Sequence, residues 1–91
     1  MNYEEAMDIL KAKLTDIQVL NYREYKGAYV FQTAPADLFV TPFEPIIGGY
    51  YSVNKLTGAV NSFNPKFEKC FFDEEEHDLT GFAELMDSLG I

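Results

Sequence analysis

Tryptophan is absent from the 91-residue chain, and cysteine and histidine occur once each, as Cys70 and His77. A single cysteine excludes an internal disulfide framework, so a reducing cytoplasm is the expected compartment. The same scarcity leaves little for metal or nucleophile chemistry. Structural zinc sites need paired Cys or His at short spacing, and calcium loops need a patterned run of oxygen ligands; neither pattern occurs. The Walker loop, the nucleophile elbow and the dinucleotide fingerprint are missing too. A Cys70–His77 catalytic pair would need a third, orienting group. Cys70 stands beside Phe71 and Phe72, where burial is expected to keep it inert. A non-enzymatic protein without a cofactor or metal is the expectation.

Long apolar runs are also lacking. No segment approaches the roughly 18 residues that read as a membrane span. The opening "MNYEEAMDIL" is acidic and amphipathic, where a secretory leader would be basic and then apolar. A soluble protein is expected, with no membrane partner.

Basic residues are missing from the last quarter of the chain. Residues 1–69 carry all seven Lys and Arg against eight Asp and Glu, whereas residues 70–91 carry seven acids and no Lys or Arg. The net charge of −8 therefore sits almost wholly in the tail. Direct binding to nucleic acid or an anionic membrane is disfavoured, and a basic protein partner is favoured. An acidic tail also keeps a protein soluble without any partner.

What is present is a good supply of core-forming residues, with 47% hydrophobic content, eight Phe and six Tyr. That suits one folded domain over residues 1–91. Asn2 fits a helix N-cap with Glu5 three residues on. Met7, Leu10, Leu14 and Ile17 continue as one stripe, predicting a helix from about Tyr3 to Leu14. "DIQVLNYREYKGAYVFQTA" reads as two strands joined by a tight turn at Tyr25-Lys26-Gly27. The second of these strands is apolar on both faces and is expected to be central.

"APADLFVTPFEPIIGG" follows, with three prolines that no central strand tolerates. Its Leu38, Phe39, Val40, Phe43, Ile46 and Ile47 either fold over the core or face a partner. "YYSVNKLTGAV" reads as a hairpin whose bend is Lys55 to Gly58, pairing Val53 with Val60 and Tyr50 with Phe63. "KFEKCFF" suits an edge strand or an extended arm. Phe82, Leu85, Met86 and Leu89 mark a second helix, with Asp78 or Thr80 as its cap. The expected fold is α+β: helices at both ends, packed on one face of a mainly antiparallel sheet of about four strands.

The stretches "AYVFQT" and "GGYYSVNKLTGAVNSF" resemble small phage and prophage proteins that carry a V-(D/N)-K-x-T-G-x-V hairpin. They also resemble the immunity protein 35 family, and the bend is similar to that in PepSY domains. Val53-Asn54-Lys55, Thr57-Gly58 and Val60 carry the likeness, within residues 3 to 63. It implies a non-enzymatic binding role in a phage context or in toxin neutralisation, and assigns no catalytic residue. The leading expectation is a small acidic protein-binding module, phage- or prophage-associated. An immunity protein, a virion-structural or assembly component and a DNA-mimic inhibitor are the alternatives. The expected partner surface comprises Phe39, Phe43 and Ile46 with Glu74, Glu75, Glu76 and Asp78.

Overall fold

The computed structural model describes residues 1–37 and 49–80, together with Ser88 and Gly90. The second helix expected from Phe82, Leu85, Met86 and Leu89 lies outside those residues. Within them the fold is α+β, with one helix, α1 (Tyr3–Lys13), and an antiparallel sheet. The strands are β1 (Ile17–Tyr25), β2 (Ala28–Pro35), β3 (Tyr50–Asn54), β4 (Val60–Phe63) and β5 (His77–Asp78), in the spatial order β4-β3-β2-β1-β5. Among the described residues no helix is long and apolar enough to cross a membrane.

Helix α1 starts where its cap dictates. The Asn2 side chain accepts from the Glu5 backbone N–H at 2.9 Å, satisfying one of the donors that a helix start leaves open. Ala6 and Leu10, one turn apart, are fully buried, and Tyr3, Met7, Ile9 and Leu14 flank them. The buried line therefore runs through a small residue that a stripe of large apolar residues passes over. Ile17 belongs to β1 instead of extending the helix, because Asp16 turns the chain at φ 61°.

The β1–β2 turn is two residues long, Lys26 at φ 47° and Gly27 at φ 75°, the left-handed pair that matches the twist of a tight hairpin. Between Val19 and Asn21 the register slips, and Leu20 forms a bulge. The slip changes the alternation, so that Ile17, Val19 and Tyr22 all pack toward the helix. Buried Asn21 meets its polar need by donating its side-chain amide to Gln32 Oε1 at 2.8 Å.

The β3–β4 hairpin has the expected register, with Tyr50 opposite Phe63 and Val53 opposite Val60. Asn54 Oδ1 accepts from the backbone N–H groups of Leu56 and Thr57 at 2.8 and 3.0 Å, and Gly58 leaves the bend at φ 73°. No ligand is needed to account for this motif.

β2 is central, and both of its faces are covered. Tyr29 and Phe31 join Ala6, Leu10 and Val53 beneath the helix. On the opposite face Val30 packs with Tyr25 and Phe71, flanked by Tyr50 and Phe63. Phe71 reaches that face from a 3-10 turn, Phe71–Asp73, one of two that replace the edge strand or arm expected of "KFEKCFF". The sheet has five strands where about four were expected, because His77 and Asp78 pair with Tyr22 and Asn21. A two-residue strand has no periodicity by which a sequence could disclose it.

Phe71 is fully buried against aromatic neighbours. Its replacement by Ala is expected to cost roughly 3–5 kcal/mol in urea denaturation. A loss under about 1 kcal/mol would show that this second layer contributes little to the fold.

Candidate protein-binding surface

The segment that carries the acids is shaped from β4 onward. Asn64 Oδ1 accepts from the Lys66 N–H at 3.0 Å and Pro65 opens the first 3-10 turn, Pro65–Phe67. Glu68 then anchors the chain to the β1–β2 turn. Its carboxylate accepts from Tyr25 Oη at 2.8 Å and from Lys26 Nζ at 3.2 Å. The hydroxyl bond, followed by the lysine, holds the Glu68 carboxyl below its ordinary value of 4.5. The same bond raises the Tyr25 phenol.

In the second 3-10 turn adjacent phenylalanines part company. Phe71 enters the core with its ring edge-on to Tyr25 and Tyr50, at 5.6 and 5.7 Å between centroids. Phe72 stays 57% exposed, and Cys70 is exposed as well. The expected burial of Cys70 is thus corrected: the turn has one inward direction, and Phe71 takes it.

Arg23 of β1 holds the next residues. Its guanidinium carbon lies 5.2 Å from the centroids of both Phe71 and Phe72. Nε donates to the Glu74 carbonyl at 3.3 Å, and Nη2 donates to Glu76 Oε2 at 3.4 Å. The arginine side chain is only 12% exposed, so cation–π and hydrogen-bond contacts act together in partly dry surroundings. Beyond Glu76, His77 stacks on Tyr22 at 4.6 Å, and Tyr22 stacks in turn on Tyr3 of α1 at 4.7 Å. Burial raises the Tyr22 phenol above its ordinary value, with Tyr3 adding to the effect. Leu79 N–H donates to the Leu20 carbonyl at 2.9 Å, closing the docking of this segment onto the bulge.

Glu74, Glu75 and Glu76 are exposed along an irregular stretch that leads into β5, on the side of the sheet edge. Asp78 lies in β5 itself, where its Oδ1 accepts from the N–H and hydroxyl of Thr80 at 2.9 and 2.6 Å. Asp78 was expected to cap a helix; what is described is this local turn. Phe39, Phe43 and Ile46 lie outside the described residues. The structure instead supplies two exposed aromatics that sequence reasoning passed over, Phe72 and the 81% exposed Phe67. The only hint was the doublet Phe71-Phe72 in a segment too short to bury both. Among the described residues, no group of three or more His, Cys, Asp or Glu is placed to hold a metal ion. The chain matches no family model, no curated protein and no solved structure.

The Glu68 bonds give a pH dependence with a definite sign. A carboxyl depressed in the folded state stabilises it above the unfolded value, and that contribution is lost as pH falls through the lower folded value. Tyr25→Phe removes the larger cause. The variant is expected to lose less stability than the parent between neutral pH and about pH 3, measured by urea denaturation. An identical acid-side slope in the two proteins would count against this role for Tyr25.

Proposed function

We propose that this chain is a small, acidic, non-enzymatic protein-binding module whose working surface is the Glu74–Asp78 segment with Phe72 beside it. The observation that carries this reading is the exposure of Phe72 next to acids whose backbone is tied down by Arg23. Exposed aromatic rings supply affinity when they enter a partner's pocket. Carboxylates around them speed encounter with a basic surface and fix its orientation. The tether reduces the ordering cost that a loose acidic tail would pay on binding. The partner fitting these features is a protein with an apolar pocket rimmed by Lys or Arg. The hairpin resemblance favours a phage or prophage setting for that partner, and a cytoplasmic location goes with it.

Exposed Cys70 lies two residues before Phe72, at the start of the turn, and gives a natural attachment point for a photo-crosslinker. The partner trapped from Cys70 is expected to be lost with Phe72→Ser. It is also expected to be lost when Glu74, Glu75 and Glu76 are all changed to Gln, and to diminish with added salt. Equal trapping by the parent and both variants would rule out this surface.

A further inference from the structure

The sheet has two edges, and they differ in kind. The β5 edge is two residues long and acidic, with Asp78 in the strand and Glu76 just before it. The β4 edge is the center of a run of ten uncharged residues, Leu56 to Pro65, in a chain that is 24% charged. Natural sheets guard an open edge with charge, proline or a covering element. Pro65 follows β4 but does not interrupt it, and no charged side chain lies on it.

The hydrogen-bond pattern says which groups of β4 face outward. Asn54 N–H points toward β4 and donates to the Ala59 carbonyl at 2.9 Å, whereas Lys55 N–H points toward β2 and donates to the Gly27 carbonyl at 3.1 Å. With alternation along an antiparallel ladder, Asn61 and Phe63 bond to β3, and Val60 and Ser62 point their N–H and C=O groups away from the sheet. Among the described residues nothing pairs with that outer side.

We propose that β4 pairs antiparallel with β4 of a second copy of this chain, forming a symmetric dimer through a continuous sheet. Val60 of one copy lies opposite Ser62 of the other, each pair exchanging both backbone hydrogen bonds. Asn61 then sits on the two-fold axis facing Asn61 of the second copy. A residue on such an axis has to tolerate its own image. An amide does so, being both donor and acceptor, whereas Lys or Glu would repel itself. The pairing also brings the Leu56 end of one β4 toward the Phe67 end of the other. Those two side chains are 94% and 81% exposed in the monomer, the most exposed large apolar residues described.

Charge does not oppose this edge as it opposes the other. Four strand spacings, about 19 Å, separate β4 from β5 and its acids. The screening length at physiological salt is only about 8 Å. An extended foreign peptide would use the same backbone groups, but it would not require a self-tolerant Asn61.

Sedimentation velocity of the full chain over a wide concentration range tests the proposal. A monomer–dimer equilibrium is expected, and Asn61→Lys should weaken it about tenfold or more by placing like charges across the axis. Asn61 is exposed, so the monomer should keep its fold. Ser62→Pro removes an outward N–H and is expected to weaken the dimer as well. Added salt should strengthen self-association by screening the −8 copies, whereas it weakens binding through the acidic surface. Opposite salt responses keep the two readings separable, and the Glu74, Glu75 and Glu76 to Gln variant should dimerise no less than the parent. A parent monomeric at every concentration and salt overturns the proposal. So does a dimer that neither Asn61→Lys nor Ser62→Pro weakens.

Discussion

β2 has no side that can be left to water. Tyr29 and Phe31 project one way and Val30 and Ala34 the other, and all four are buried. A strand of this kind requires a covering layer on each face. Helix α1 supplies one through Ala6 and Leu10. Among the described residues the second comes from the chain after β4, and the residue that provides it is Phe71. The path of the second half of the molecule follows from that requirement.

Once Phe71 is drawn into the sheet, its neighbours are placed by connectivity. Cys70 and Phe72 are left outside, and Glu68 is brought within reach of Tyr25 and Lys26. Arg23, on the same face of β1, finds both phenylalanine rings and the acids that follow them. The packing of an aromatic core and the presentation of an acidic surface are therefore one event. The acids from Glu74 to Asp78, which would otherwise serve only solubility, acquire a defined backbone beside an exposed ring.

The same crossing separates the two edges of the sheet by character. Acids gather at β5, while β4 is uncharged and, among the described residues, has no strand on its outer side. On the two readings proposed above, a basic partner and a second copy would use opposite edges, and the two demands would not compete. Opposite responses to salt are the physical consequence.

Local features were legible in the sequence because they depend on near neighbours. The Asn2 cap, the left-handed Gly27 and Gly58, and the Val53–Val60 register are set by residues within a few positions of one another. Apolar residues on both faces of β2 disclosed its central place, since alternation reads burial directly. Tertiary structure alone decided which of Phe71 and Phe72 turns inward, that Leu20 bulges, and that His77 and Asp78 add a fifth strand. It also set Arg23 against Glu76, a pair 53 residues apart. Those outcomes rest on contacts between distant segments, where a doublet, a lone arginine or a two-residue strand has no period to betray its partner. Composition and local pattern determined that a two-faced sheet would form; the crossing of the chain beneath it decided which surface the protein shows.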